Sequence, residues 1–398
     1  MKESRESPST PKVCIVITVG VSLDVLYPDF YPLAQGEGFE VVGVCASDRF
    51  VANVRRQGVR VIEVPMTRNF TPFRDVVCLW KLWRIFRAER FDLIHYSTPK
   101  ASVLAAIAGR LAGGSRLLFT NRGLAYTGVT GVKRAMAKGC EKIAARLADK
   151  VIAISPSLKQ LMVKEGLLDA DKIEVFGAGS SKGVNLRTFR CDAAALERAR
   201  TIRQTLGLSE SDVVFGYAGR FTVEKGIVEL LEAFEALAAD RSDVHLMLVG
   251  EQDERAPLPA SIQSLIKRNR RVHTLGRTDD MPGHLAAMDV CVLASYREGF
   301  GNVLIEAAAM ERAVIASDIP GCRDAVKPGV TGLLVEPRSS ASLVSAMRTL
   351  ASDKPMRLEM GKNGRAWVEA EFDREKIWNW LLGVYGAMIR DSGKDADG

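Results

Sequence analysis

The chain has 398 residues, 47% hydrophobic and 26% charged, with 55 Lys plus Arg against 48 Asp plus Glu and a net charge of +7. At roughly 150 residues per domain, that length and composition predict two domains with full hydrophobic cores. They exclude a disordered chain, a collagen and a disulfide-stapled mini-protein. The basic excess suits anionic ligands or an anionic membrane surface and is too dilute for a nucleic-acid binder.

The first apolar run, VCIVITV after Lys12, is β-branched and continuous up to Gly20, the pattern of a strand buried on both faces of a parallel sheet. Similar runs follow at Phe39 to Val44, Val59 to Val64, Phe91 to Tyr96, Arg116 to Thr120, Lys150 to Ser155 and Lys172 to Phe176, separated by helical spans. This alternation predicts βαβ units. A charged helix, Ala193 to Leu208, precedes a second series at Val213, Leu246 to Gly250, Val272 to Gly276, Val290 to Ser295, Ala313 to Ser317 and Gly332 to Glu336. The fold class expected is therefore α/β, with two Rossmann-like doubly wound parallel-sheet domains facing a cleft. The first spans 12–188 and the second 209–371, and an amphipathic helix at 372–390 packs back on the first domain. Open parallel sheets bind ligands at the carboxyl ends of their strands, so the site is expected there.

Seven cysteines at 14, 45, 78, 140, 191, 291 and 322 form no C-x-x-C pair and have no neighbouring histidine, which predicts reduced thiols in a cytoplasm and no metal site. The N-terminal MKESRESPSTPK lacks the apolar core of a signal peptide, and Ala101 to Ala112 is too short to cross a bilayer. Two D-x-D strings, Asp169 to Asp171 and Asp395 to Asp397, lie in a loop and in the tail, where neither suits a metal.

Chemistry concentrates in the second half. GRFTVEKG, Gly219 to Gly226, follows a strand and precedes a helix. Its glycines let backbone approach a ligand, the helix start offers N–H groups, and Arg220 and Lys225 supply charge, a cradle for a diphosphate. After VCVLAS, EGFGNVLIE places Glu298 and Glu306 around a turn, Gly299, Phe300, Gly301 and Asn302, whose amides suit a phosphate. Carboxylates beside sugar hydroxyls accept paired hydrogen bonds. Gly276 and Arg277 lie in a loop whose backbone suits a base edge. Asp289 is expected to brace a strand, and Pro320-Gly321 to close the pocket wall.

These segments, G-R-x-x-x-x-K-G at 219–226, G-R-x-x-D at 276–280, E-G-F-G-N-x-x-x-E at 298–306 and S-D-x-x-G-x-x-D at 317–324, resemble the retaining glycosyltransferases of family 4, with the GT-B fold. The resemblance implies that Arg220 and Lys225 bind the donor diphosphate, that Glu298 contacts the donor sugar and that Glu306 holds the ribose hydroxyls. It further implies front-face transfer without bound metal or cofactor, from a donor that leans to UDP with a hexose or N-acetylhexosamine.

The first half is similar to the branch that extends bacterial surface-polysaccharide or lipid-linked oligosaccharide chains, through PMTRNFTPFRD, HYSTPKAS, the SPSL of Ser155 to Leu158 and GSSKGVN at Gly179 to Asn185. Where that branch carries T-x-H-G, this chain has Thr120-Asn121-Arg122-Gly123. Arg122 in place of the His puts a His-assisted step in doubt and allows a cation to meet an acceptor phosphate. His95, at a strand end, either faces the acceptor or is structural. Lys100 either reaches an acceptor phosphate or pairs elsewhere. In VVCLWKLWRIFRAER, Trp80 falls on the side of Arg84 and Arg87. In GVKRAMAKGCEKIAARLADK, Arg134, Lys138, Lys142 and Arg146 recur every fourth residue. Such patterns belong either to a solvated face or to an anionic membrane surface. The partners expected are a nucleotide-sugar, a lipid-linked saccharide acceptor and the inner face of the cell membrane. The alternatives are a soluble acceptor or an inactive nucleotide-sugar-binding subunit.

Overall fold

The computed structural model describes residues 10–254 and 256–394, so residues 1–9 and the Asp395 to Asp397 string lie outside the described residues. The chain divides into two units, 1–176 with 376–398, and 177–375. The sequence grouped 177–188 with the first domain. That boundary is corrected, because Val184 bridges Asp373 and Ser181 bonds Asn302, both within the second unit.

The first unit is built on β1 (Lys12–Val19), β2 (Glu40–Ala46), β3 (Arg60–Glu63), β4 (Leu93–Tyr96), β5 (Arg116–Asn121), β6 (Lys150–Ala153) and β7 (Ile173–Glu174), in the order β3-β2-β1-β4-β5-β6-β7. All its pairings are parallel. Six consecutive residues of β1, Val13 to Thr18, are buried, as the continuous β-branched run requires. The C-terminal helix Arg374–Lys394 completes this unit. Its Trp378, Leu381, Leu382, Tyr385 and Met388 join Val13, Ile15 and Tyr27 in one cluster. Trp378 donates its indole N–H to the Pro28 carbonyl at 2.9 Å. Each such large apolar side chain contributes about 1.5 to 3 kcal/mol when fully buried, which is why the helix packs back across most of the sequence.

The second unit holds β8 (Val213–Ala218), β9 (Val244–Val249), β10 (Val272–Thr274), β11 (Val290–Leu293), β12 (Ala313–Ser317) and β13 (Gly332–Val335), in the order β10-β9-β8-β11-β12-β13. This sheet is parallel too. Asp289 braces it as expected, accepting the Val214 amide at 2.8 Å and pairing with Arg203 at 3.1 Å. In both sheets the order of strand addition reverses at the first strand, β1 beside β4 and β8 beside β11, and such switch points open a crevice at the carboxyl ends of the strands. Among the described residues no helix is long and apolar enough to cross a membrane.

Candidate functional site

At the switch point of the second sheet, the loops after β8 and β11 meet. Gly226, at φ 69°, starts the helix Ile227–Asp240, and a Cβ there would lie 2.0 Å from the Ala294 carbonyl oxygen. Gly321, at φ 84°, approaches the Gly299 carbonyl so closely that a Cβ would sit 2.7 Å from it. Only glycine fits these two contacts, and both draw backbone around the same crevice. The Tyr296 amide on the Glu224 carbonyl (2.9 Å) and the Gly301 amide on the Gly321 carbonyl (3.3 Å) knit the rim. The Gly276 carbonyl accepts the Gly250 amide at 2.7 Å, and Arg277 is exposed on the same loop.

Across this rim, cations and carboxylates pair. Lys225 Nζ lies 2.5 Å from Glu298 Oε1, which also accepts the Ser295 hydroxyl at 2.8 Å. The Lys225 and Glu298 side chains are 26% and 14% exposed. Arg220, 64% exposed, reaches Asp253 at 2.5 Å. Glu306, on the second turn of the helix Asn302–Ala309, meets Lys182 at 3.4 Å. Phe300 is buried against Phe372, with ring centroids 5.6 Å apart, which fixes the turn from below. Tyr217 donates its hydroxyl to the Arg220 carbonyl at 2.7 Å; burial first, and the Glu298 charge second, hold its phenol well above the usual range, so it stays a donor. Gly219, Arg220, Lys225, Glu298, Gly299, Phe300, Gly301, Asn302 and Glu306 thus gather on the loops and helix starts at the carboxyl end of this sheet. Lys182, Asp253 and Ser295 were not singled out from sequence. For Lys182, the signal available was its place between the glycines of GSSKGVN.

In the first unit the three residues assigned to the acceptor part company. Arg122 stands in the loop after β5. Its guanidinium lies over the Tyr27 ring at 5.1 Å, and its Nε reaches Ser97 at 3.4 Å, beside the first sheet's switch point. His95 is corrected: it has no exposed surface and is clamped between Tyr385 Oη (2.6 Å) and Thr120 Oγ1 (2.7 Å). Burial, with Arg122 adding to it, pushes its pKa down to about 3, so the ring is neutral and structural. Lys100 is corrected as well. Its side chain is 9% exposed and pairs with Asp75 at 2.6 Å, with the Thr67 and Thr71 hydroxyls at 2.9 and 3.0 Å. It ties the 67–71 loop and the first turn of the helix Pro72–Glu89 to the helix Pro99–Ala112 instead of awaiting a phosphate. Beneath the Arg122 loop, Glu141 is buried. Its Oε1 accepts the Ala125 amide at 2.8 Å, and burial raises its pKa to about 7 against the Ala125 amide and the Asn121 side chain, which lower it.

Two parallel doubly wound domains, the second bearing basic, glycine-lined loops and paired carboxylates at its switch point, define a GT-B architecture. Residues 198–367 match the model for "Glycosyl transferases group 1" and residues 33–179 that for "Glycosyltransferase Family 4". The chain is 32% identical over 329 residues to the capsular polysaccharide biosynthesis glycosyltransferase CapM of Staphylococcus aureus, covering 83% of this chain and 85% of that one. It is 27% identical to an Escherichia coli UDP-Gal:alpha-D-GlcNAc-diphosphoundecaprenol alpha-1,3-galactosyltransferase, over 90% and 92% of the two chains. The crystal structure of HepE from Anabaena, in complex with UDP, superposes with a TM-score of 0.79 at 22% identity, over 94% of this chain and 100% of that one. The chain belongs to glycosyltransferase family 4.

Proposed function

We propose that this glycosyltransferase moves a hexose or N-acetylhexosamine from a UDP donor to a lipid-linked saccharide, with retention and without metal, in bacterial polysaccharide assembly. The observation that carries the donor half is the set of ion pairs at the second sheet's switch point. Lys225 and Arg220 are held by carboxylates beside glycine-lined backbone, ready to exchange those partners for diphosphate oxygens. In transfer they and the helix start at Asn302 stabilise charge developing on the leaving diphosphate. Glu298 orients the sugar, and Glu306 the ribose. The E. coli relative's UDP-sugar donor and diphosphoundecaprenol acceptor support the same chemistry here. The test is a panel of nucleotide-sugars against lipid-linked saccharides, scoring nucleoside diphosphate release and the anomeric configuration of the product. Absence of release from every donor, or an inverted product, would refute it.

A lipid-linked acceptor brings the enzyme to a membrane, and the first unit carries a surface suited to one. On the helix Pro72–Glu89, Phe73 (92% exposed), Val76, Val77 and Trp80 (51%) follow at i, i+3, i+4 and i+7, with Arg84 stacked on Trp80 at 4.8 Å. The helix Gly131–Leu147 exposes Val132, Met136 and Ile143. Exposed apolar stripes flanked by cations favour an anionic interface. Arg134 and Lys138 share Glu165, at 3.5 and 2.7 Å, so Lys142 and Arg146 are better choices for charge reversal. The protein is expected to co-sediment with phosphatidylglycerol but not phosphatidylcholine vesicles, reversibly in 1 M salt, where the Debye length falls to about 3 Å. Phe73→Ser with Val77→Ser should weaken binding at least about tenfold. Equal binding to both vesicle types, or none to either, would favour a soluble acceptor.

A further inference from the structure

The segment before the second sheet carries four residues in the left-handed region, Gly177, Gly179, Ser180 and Gly183, at φ 48°, 107°, 103° and 61°. Ser180 is the informative one, because a residue with a Cβ stays there only when its surroundings compel it, and such strain collects at functional sites. What compels it is visible. The Ser180 hydroxyl accepts the Gly183 amide at 2.9 Å and the Lys182 amide at 3.4 Å. The Asn302 side chain donates to the Ser181 hydroxyl at 3.1 Å. Arg374 donates from Nε to the Lys182 carbonyl at 3.3 Å, and Val184 donates its amide to the Phe372 carbonyl at 2.8 Å. The loop is thus pinned on three sides, and the residue it delivers is Lys182, whose ammonium lies 3.4 Å from Glu306 Oε1.

Both side chains are mostly withdrawn from solvent, at 20% and 14% exposed. A carboxylate has about four lone-pair sites on two oxygens. A lysine fixed on Oε1 removes the rotational freedom of the group and leaves Oε2 to accept hydroxyl donors from a ligand. We infer that Lys182 is a positioning residue that holds Glu306 in the orientation that reads the ribose hydroxyls, so that the loop Gly179 to Gly183 sets the preference for ribonucleotide over 2′-deoxyribonucleotide donors. This rests on the donor-site reading above. Lys182 touches the carboxylate and acts through it.

The test is calorimetry on the full chain with UDP, ADP, GDP and CDP, each beside its 2′-deoxy counterpart. The unaltered protein binds one ribonucleotide at least about tenfold more tightly than its deoxy form. Lys182→Met lowers affinity for that ribonucleotide about tenfold and leaves the deoxy form unchanged, so the ratio falls towards one. Lys182→Arg restores it. Glu306→Gln collapses the ratio by itself, and adding Lys182→Met to it changes nothing further, as expected of two residues acting as one unit. Equal losses for ribo and deoxy forms in Lys182→Met would make Lys182 a phosphate contact and overturn the inference. So would an unchanged ratio. If the unaltered protein binds none of the nucleotides, the donor-site reading fails and this inference with it; if binding is intact and only the ratio ignores Lys182, the donor-site reading stands.

Discussion

Lys225→Ala is expected to lower affinity for the nucleoside diphosphate about 100-fold, a loss of about 3 kcal/mol, and to bring turnover below detection. Two effects add. The variant removes a charged donor from a site where the side chain is only 26% exposed, and it strips Glu298 of its ion-pair partner. The stranded carboxylate, 14% exposed, then faces the incoming diphosphate with like charge. Arg220→Ala should cost less, about tenfold, because that guanidinium is 64% exposed and screened by water. The second effect can be isolated. In the Lys225→Ala and Glu298→Gln double variant the repulsion is gone, so affinity should recover part of the way, a coupling that a simple loss of contacts does not give. Titration calorimetry with UDP measures the unaltered protein and these variants, with Glu298→Gln alone closing the cycle. An affinity for Lys225→Ala within twofold of the unaltered protein would remove Lys225 from the donor site.

The two loops that bring Arg220, Lys225, Glu298 and Glu306 to one crevice were legible in the sequence, whereas the long-range pairings of the first unit were not. Gly219 to Gly226 and Glu298 to Glu306 each lie on a single loop and helix start, so their spacing already encodes the turn and the positions of the charges. The thirteen strands among the described residues were equally plain, because short β-branched runs such as VCIVITV suit a parallel sheet buried on both faces. His95 and Lys100 stayed open between two roles for the opposite reason. Both stand where a strand or turn ends, the local setting of a functional residue, but their partners come from elsewhere. Tyr385 arrives on the C-terminal helix, 290 positions from His95, and Asp75 lies in the first turn of the helix Pro72–Glu89, which packs beside the helix of Lys100. Lys182 was overlooked on the same account, since the strained loop that aims it and the Glu306 that receives it meet only in the folded unit. The end of the first unit moved from 188 back to Phe176 likewise, because Val184 is claimed by the 372–374 strap. Local pattern shows where chemistry can sit, and long-range pairing decides which charged groups remain available for it.

His95 supplies the second large effect, on stability. Its folded pKa, pushed down to about 3, lies below the unfolded value of about 6.5. A depressed folded value means that the stabilisation is fully present above pH 6.5 and is lost as the pH falls towards 3, because the unfolded chain takes up a proton that the folded chain refuses. Between pH 7 and pH 5 the first unit should lose about 2 kcal/mol from this ring alone. The cause is structural. In a neutral imidazole one nitrogen accepts and the other donates, which satisfies both Tyr385 and Thr120, whereas the imidazolium has two donors and no exposed surface to hydrate it. Because Tyr385 belongs to the C-terminal helix, acid should release that helix early. Hydrogen exchange on residues 376–390 would follow it. His95→Gln is expected to melt lower at pH 7 and to show a shallower decline between pH 7 and 5. Tyr385→Phe keeps the ring buried and loses one hydrogen bond, so it should lose about 1 kcal/mol of stability and retain the full pH slope. A His95→Gln protein as acid-sensitive as the unaltered one would show that some other group governs the transition, and the His245 and His273 pair of the second unit, 3.1 Å apart and both depressed chiefly by burial, has the same sign of pH dependence.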